Sequence, residues 1–253
     1  IEYWNGDEGK RGIVTLCWHW CPAARYDKSK SDPWGTFYTD KTKFNLARAL
    51  NGSDPDGYQM LLDDIDAIAV QLKRLQEADV PVLWRPLHEA SGGWFWWGAS
   101  GADAYLQLYK LMYDRLTNVH GLNNLIWVWN GQNAAWYPGD EYVDIIGEDI
   151  YPGKHVYTSQ AARFIKALSY TDTRKLITLS ENGCIPDPEQ LVRDNIMWSY
   201  WCVWEGEFVL KAAGFNNYSE QYTEKDMLKK AYKSDTVITR KELPDLRNYP
   251  LGD

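Results

Sequence analysis

Six short apolar segments, separated by stretches of helical periodicity, run along the chain of 253 residues. The apolar segments are rich in β-branched and aromatic residues, which predicts strands, and the stretches between them predict helices. We place the strands at residues 12–20, 80–90, 124–131, 143–151, 175–183 and 198–206. We place the helices at residues 58–78, 102–118, 159–168, 189–195 and 226–233. This alternation predicts parallel strands with crossover helices, and hence an α/β fold.

The ends of the predicted strands favour a barrel over an open sheet. No glycine-rich phosphate loop follows the first strand, which argues against a nucleotide-binding sheet. Polar residues instead close nearly every strand: His19, Glu89, Asn130, Tyr151, Glu181 and Glu205. Functional residues at the carboxyl ends of many strands are typical of a (β/α)8 TIM barrel. Six of its units are recognisable, and because no linker or repeat interrupts the chain, we predict a single barrel domain over residues 1–253.

The aromatic composition points to a carbohydrate ligand. The chain contains 14 Trp and 17 Tyr but 6 Phe. Indole and phenol rings stack on the C–H faces of sugars, and their N–H and O–H groups reach hydroxyls. The net charge of −8 argues against nucleic acid or an anionic membrane as a partner, and no apolar run is long enough for a membrane span. A neutral polysaccharide is compatible with all of these features.

The stretch RPLHEASGGWFWWG, residues 85–98, combines charge, glycine and aromatic rings where a strand ends. Glu89 is predicted at the rim of the barrel mouth, where partial burial raises the pKa of a carboxyl and makes it a proton donor near neutral pH. Arg85 lies four residues earlier and therefore on the same strand face. Of the four aromatic residues at 94–97, we expect two to be buried.

A second glutamate ends a later strand in the segment LSENG, residues 179–183. Glu181 follows Glu89 by about three strand–helix units of ~30 residues each, which places the two carboxylates nearly opposite each other across the barrel mouth. Two facing carboxylates in an aromatic cleft are what glycoside hydrolysis requires. Three rival carboxylates also end strands: Glu148, Asp149 and Glu205. Of these, we expect Asp149 to hold a strand end in place.

The cysteine pattern indicates neither a disulfide scaffold nor a metal centre. The chain has four cysteines: Cys17, Cys21, Cys184 and Cys202. Cys17, His19 and Cys21 alternate along one strand, but no second pair of ligands completes a metal site. We expect Cys17 to be a free buried thiol and Cys21 to form at most one bridge, and we predict no metal ion and no cofactor.

Taken together, these motifs resemble those of glycoside hydrolase family 26. The resemblance rests on RPLHEASGGWFWWG and LSENG, with TLCWHW before them and GEDIY between them. It implies a retaining (β/α)8 glycosidase with Glu89 as the acid/base and Glu181 as the nucleophile. It also implies that Arg85, His88 and Tyr151 position the nucleophile and the substrate. Further sugar contacts are implied for other aromatic side chains: His19 and Trp94 at the −1 subsite, and Trp201 or Trp204 as a stacking floor.

The family acts mainly on β-1,4-mannan, with minorities acting on mixed-linkage β-glucan or β-1,3-xylan. The resemblance therefore implies a secreted endo-β-mannanase with polysaccharide as its partner, and an accessory carbohydrate-binding module is the other partner considered. Two residues depart from the family pattern: Glu148 replaces an expected apolar residue, and Glu205 replaces a more usual asparagine. The family's first two strands are not recognisable, so we expect upstream sequence or a separate segment to complete the barrel.

Two other functional classes stay open at this point. A catalytically silent carbohydrate-binding barrel would keep the aromatic rings but lose a carboxylate, and fold alone does not prove activity. A phosphate-binding barrel enzyme is disfavoured by the acidic mouth and by the missing glycine-rich loop.

Overall fold

Six parallel strands form one sheet in chain order, each strand pairing with the next. The computed structural model describes residues 1–6, 12–22, 34–211, 217–246 and 248–250. The strands are β1 Val14–Trp18, β2 Val82–Pro86, β3 Leu125–Trp129, β4 Ile145–Ile150, β5 Leu176–Asn182 and β6 Trp201–Val203. All six predicted strands are confirmed, but each is shorter than predicted. The residues that close the segments leave the extended conformation, as Leu87 and Glu89 do with φ values of 55° and 53°.

Helices connect most of these strands. Those in the described residues are α1 Glu2–Asn5, α2 Leu46–Leu50, α3 Pro55–Glu77, α4 Trp96–Ala99, α5 Ala102–Asp114, α6 Ala161–Leu168, α7 Pro188–Asp194 and α8 Lys225–Tyr232. The five predicted helices correspond to α3 and α5 to α8, with a π-helical turn at Arg115–Val119 extending α5. The sequence pattern does not predict α1, α2 and α4, because four or five residues are too few to display helical periodicity.

The two faces of the sheet have different environments. On β2, Val82 and Trp84 are buried in the hydrophobic core with α3 and α5. Arg85 is the next residue and points to the opposite face, where its guanidinium meets Asp149 of β4. The core therefore occupies the outer face of the sheet, and the inner face is left for polar groups.

The sheet curls toward its inner face. Within the described part of the chain, β1 and β6 are its two edges. The rings of His19, which follows β1, and Trp204, which follows β6, nevertheless lie 6.3 Å apart between centroids. A curled parallel sheet with helices on its outer face is the arrangement of a TIM-type barrel, as predicted. None of the described helices is both long and apolar enough to cross a membrane.

An ion pair between a buried carboxylate and a partly exposed guanidinium joins the outer face of β4 to α6. Glu148 is wholly buried, and its Oε2 accepts hydrogen bonds from two nitrogens of Arg163, the Nε at 2.9 Å. The Arg163 guanidinium also donates to Gln132 Oε1 at 2.7 Å. Glu148 therefore faces a helix on the outer side of the sheet, away from the inner face where a subsite would lie.

Replacing Arg163 with methionine is expected to lower the free energy of unfolding by about 2–4 kcal/mol, since the Glu148 carboxylate would lose its cation in a buried position. The double variant Glu148→Leu/Arg163→Met is expected to recover most of that loss, because an apolar pair needs no charge compensation. Urea unfolding measures both. The exposed pair of Arg193 and Asp194 supplies the control, since Arg193→Met is expected to change little. Equal stability of Arg163→Met and the parent would contradict this account of β4.

Candidate active site

The carboxyl ends of β2 to β5 converge on the buried guanidinium of Arg85. One of its terminal nitrogens donates to Asn130 Oδ1 at 2.7 Å and to Asp149 Oδ2 at 3.1 Å. The other donates to Glu181 Oε1. Asn130 presents its oxygen to Arg85 because its own amide nitrogen donates to the carbonyl of Gly147 at 2.8 Å. Four adjacent strands thus contribute one side chain each to a single charge-assisted network.

A β-bulge in β5 turns Glu181 toward this network. The pairing register shifts so that Glu148 opposes Leu179 and Asp149 opposes Glu181, which leaves Ser180 as the extra residue. Ser180 Oγ donates to Asp149 Oδ1 at 2.7 Å, so both Ser180 and Glu181 face inward. Strict alternation would instead place Glu181 on the outer face with Leu179, which belongs to the hydrophobic core.

Both oxygens of the Glu181 carboxylate have donors. Arg85 holds Oε1, and the phenol of Tyr151 donates to Oε2 at 2.7 Å. The residue is 4% exposed. These donors fix the orientation of the carboxylate and stabilise its negative charge, which suits a nucleophile.

Glu89 has a different environment. It lies just beyond β2 in left-handed backbone geometry, with its amide bonded to the carbonyl of Asn130 at 2.8 Å. Its Oε2 accepts a hydrogen bond from Trp94 Nε1 at 3.0 Å. Partial burial, and then repulsion from the Glu181 carboxylate, raise the pKa of Glu89, although Trp94 and Arg85 act in the opposite direction. A carboxyl with a raised pKa keeps its proton at higher pH and can donate it.

The two predicted glutamates meet across the cleft. One carboxylate oxygen from each of Glu89, Asp149 and Glu181 lies within 4.8 Å of the others. Carboxyl groups about 5–5.5 Å apart are typical of glycosidases that retain the anomeric configuration, because one group attacks directly and no water stands between. The Glu89–Glu181 pair has the spacing for this chemistry.

Aromatic rings and two imidazoles form the wall of the cleft beside these carboxylates. The ring of His19 lies 4.8 Å from that of His88 and 4.9 Å from that of Phe37. Burial is the largest effect on both imidazoles and lowers the pKa of each, with the Arg85 charge acting in the same direction. Both histidines are therefore neutral near pH 7 and offer hydrogen bonds without adding positive charge.

The four aromatic residues at 94–97 differ in exposure. Trp94 is 47% exposed, whereas Phe95, Trp96 and Trp97 are buried. Three of the four are therefore buried, whereas two were expected. Trp97 Nε1 donates to the carbonyl of His88 at 2.8 Å, and Trp96 Nε1 donates to the carbonyl of Trp20 at 2.7 Å. These bonds anchor the loop that carries Glu89.

The cysteines form no disulfide. All four are free, so the disulfide considered for Cys21 is not formed. The Cys21 thiol instead donates a hydrogen bond to the carbonyl of His19 at 3.7 Å. Cys17, on the inner face of β1, is half-buried rather than fully buried. Its sulfur lies 3.4 Å from Nδ1 of His88.

Comparison with known proteins agrees with this geometry. A family model described as glycosyl hydrolase family 26 matches residues 1–242. The chain belongs to glycosyl hydrolase family 26.

Several family 26 relatives match most of the chain. The mannan endo-1,4-beta-mannosidase of Thermothelomyces thermophilus is 46% identical over 233 residues, which cover 92% of this chain and 46% of the relative. The crystal structure of the Podospora anserina GH26-CBM35 beta-(1,4)-mannanase shares 41% identity and a TM-score of 0.78, over 91% of this chain and 50% of that one. The crystal structure of a ruminal GH26 endo-beta-1,4-mannanase shares 33% identity and a TM-score of 0.81, over 96% of this chain and 54% of that one. This chain thus spans about half the length of these relatives.

The last strand brings one of its two candidate tryptophans to the family 26 cleft. Trp204 lies beside His19. Trp201 instead packs against the hydrophobic core on the outer face. The residue between them that shares the inner face with Trp204 is Cys202.

Sequence reasoning named Asp149 and Asn130 but underestimated the role of both. Asp149 does not simply hold a strand end, because it binds Arg85 and lies within 4.8 Å of both glutamates. The sequence does contain a signal for this role. Asp149 lies two residues before Tyr151, and alternate residues along an extended segment face the same side. The rival Glu148 faces the outer side, and Glu205 is exposed beyond β6.

Removing the charge of Glu181 is expected to lower the pKa of Glu89. In Glu181→Gln the repulsion between the carboxylates disappears, and the Arg85 charge is no longer neutralised by Glu181, so both changes favour ionised Glu89. Carbon-13 NMR titration of labelled glutamate carboxyls measures this pKa in the parent and in the variant. Glu205→Gln, outside the network, serves as the control and is expected to leave it unchanged. An unchanged or higher pKa in Glu181→Gln would mean that the two groups are not coupled.

Proposed function

We propose that this chain carries the catalytic centre of a retaining endo-β-1,4-mannanase. The observation that carries the proposal is the pair formed by Glu89 and Glu181, whose oxygens approach within 4.8 Å in environments that differ in charge. Glu181 is held by a cation and a phenol, whereas Glu89 has a raised pKa. Such a difference between two carboxyls separates a nucleophile from an acid.

In the first step, an oxygen of Glu181 attacks the anomeric carbon of the sugar at the −1 subsite. The bond from that carbon to the glycosidic oxygen breaks, and its electron pair goes to the oxygen. Glu89 transfers its proton to this leaving oxygen, so the aglycone departs as an alcohol. The products of the step are a glycosyl ester on Glu181 and an ionised Glu89.

In the second step, the ionised Glu89 accepts a proton from a water molecule as that water attacks the anomeric carbon. The ester bond to Glu181 breaks, its electron pair returns to the carboxylate, and Arg85 and Tyr151 again stabilise the charge. Glu89 ends the cycle protonated. The two carboxyls and water supply every bond change in this scheme, which requires no metal ion or cofactor.

The surrounding residues position the substrate in this proposal. Trp94 presents a half-exposed indole beside Glu89 and Trp204 presents another ring near His19, so both can stack on sugar faces. The neutral imidazole of His19 is open to sugar hydroxyls, and the buried ring of His88 packs against it at 4.8 Å. Asp149 offers a further acceptor through the same network as Arg85.

Mannan is the substrate best supported, because the Thermothelomyces relative is named a mannan endo-1,4-beta-mannosidase and the Podospora structure is named a β-mannanase. Mixed-linkage β-glucan and β-1,3-xylan remain the alternatives within the family. Parallel hydrolysis of galactomannan, glucomannan and lichenan separates mannan from mixed-linkage glucan. Retention of both carboxyl groups in one cleft argues against the alternative of an inactive carbohydrate-binding barrel.

We further propose that two additional strand–helix units pair with the free edges of β6 and β1. The support is that β1 and β6 are the two unpaired edges of the described sheet, which leaves the barrel open between them. A single catalytic domain over residues 1–253 with those units would form an eight-stranded barrel. Secretion and an accessory carbohydrate-binding module, such as the CBM35 named for the Podospora relative, fit a polysaccharide-degrading enzyme.

Glu89→Gln and Glu181→Gln are each expected to lower the rate of galactomannan hydrolysis by about 10³-fold or more, since each removes a group that takes part in bond cleavage. Azide is expected to restore part of the activity of Glu89→Ala on an activated aryl mannoside, because it attacks the ester without a general base. It is not expected to do so for Glu181→Ala. Glu205→Gln is the carboxylate control and is expected to keep a rate within a few-fold of the parent. Near-parental activity of either glutamine variant would remove that residue from the mechanism.

A further inference from the structure

The thiol of Cys17 and the imidazole of His88 lie next to Glu181, and neither takes part in the bond changes of the proposed reaction. Cys17 Sγ and His88 Nδ1 are 3.4 Å apart. One oxygen of Glu181 completes a cluster in which the three donor atoms lie within 4.8 Å of one another. Cys17 comes from β1, His88 follows β2 and Glu181 lies near the end of β5, so the curl of the sheet brings them together.

The spacing of sulfur and nitrogen matches the bite of a tetrahedral metal ion. Zinc binds thiolate sulfur at about 2.3 Å and imidazole nitrogen at about 2.0–2.1 Å. At a tetrahedral angle these bond lengths place the two donor atoms about 3.5 Å apart. The observed 3.4 Å therefore needs almost no rearrangement of either side chain.

The third donor needs a small movement. A zinc-bound carboxylate oxygen would also lie about 3.5 Å from the sulfur and the nitrogen, so Glu181 must approach by about 1 Å from a separation of up to 4.8 Å. Acidic groups outnumber basic groups at the site, since three carboxyl groups surround the single guanidinium of Arg85. A cation bound beside a carboxyl group favours its ionised form, so the site can compensate an added positive charge.

We propose that Cys17 and His88 form a binding site for a thiophilic divalent cation such as Zn²⁺, which captures Glu181 as its third ligand and blocks the cleft. A mixed sulfur, nitrogen and carboxylate set selects Zn²⁺ and Cd²⁺ over Mg²⁺ and Ca²⁺. The Cys17 thiol loses its proton to solvent when the metal–sulfur bond forms, and the neutral His88 binds through its Nδ1 lone pair. No oxidation or reduction is involved.

The expected inhibition by the metal ion depends on the proposed function, whereas metal binding to Cys17 and His88 does not depend on it. A metal-bound Glu181 cannot attack an anomeric carbon, and the metal occupies space next to the −1 sugar. Millimolar Mg²⁺ is expected to leave the rate unchanged, because it disfavours thiolate and imidazole ligands.

The test compares the parent chain with Cys17→Ser and with a matched control, Cys202→Ser. Cys202 also lies on the inner face of the sheet and is the more exposed thiol, yet it is not part of the cluster. Cd²⁺ titration followed by the thiolate-to-metal ultraviolet absorption reports binding without reference to activity. Zn²⁺ inhibition of galactomannan hydrolysis, normalised to the metal-free rate of each variant, reports the consequence.

The parent and Cys202→Ser are expected to develop the absorption band with one equivalent of Cd²⁺ bound, and Cys17→Ser is expected to lack it. Loss of a group that only hydrogen-bonds to a metal ligand typically costs about 10–100-fold in metal affinity. Because Cys17 is itself a ligand in the proposed site, Cys17→Ser is expected to raise the inhibitory Zn²⁺ concentration by at least about tenfold.

Cys17→Ala supplies a second variant, with circular dichroism to establish that both are folded. A band that persists without Cys17, or that disappears in Cys202→Ser, would overturn the proposal. If the band behaves as expected but the chain does not hydrolyse mannan, the proposed function fails and the metal site stands.

Discussion

The guanidinium of Arg85 is the interaction on which the cleft depends. It is buried among acceptors from three neighbouring strands, Asn130, Asp149 and Glu181. Without that cation, two carboxylates with oxygens within 4.8 Å would repel each other in a site largely shielded from water. Removing one partner from a buried ion pair typically costs about 3–5 kcal/mol. Arg85 therefore allows the carboxylate of Glu181, the proposed nucleophile, to lie inside the curl of the sheet, and its planar guanidinium binds acceptors on both sides.

The same cation distinguishes the environments of the two glutamates and hence their proposed roles. Glu181 bonds directly to Arg85 and to Tyr151, whereas Glu89 is bonded to the indole of Trp94 and feels Arg85 only from a distance. Burial and the charge of Glu181 therefore prevail at Glu89, and its pKa rises. The cation and Glu89 come from the same strand and the turn after it, because Arg85 lies within β2 and Glu89 lies just beyond its end. Glu89 therefore lacks the direct contact with the guanidinium that Glu181 makes.

Much of this arrangement could be predicted from the sequence because parallel strands bring their carboxyl ends to one edge. The order of the strands, the meeting of Glu89 with Glu181 and the place of Tyr151 follow from that rule. The rest depends on local departures from regular geometry. The bulge at Ser180 turns Glu181 inward against strict alternation, and no propensity signals its position. The role of Asp149 is underestimated from sequence because its partner, Arg85, comes from a strand two positions away in the sheet.

The stereochemistry of hydrolysis tests the central claim most directly, because it depends on whether Glu181 attacks the sugar or a water molecule does. Proton NMR of the first reducing ends released from a β-1,4-manno-oligosaccharide, recorded before mutarotation, distinguishes the two anomers. A carboxylate pair as close as Glu89 and Glu181 predicts double displacement, and hence the β-anomer as the initial product. An initial α-anomer would mean a single displacement by water and would contradict the role of Glu181 as the nucleophile.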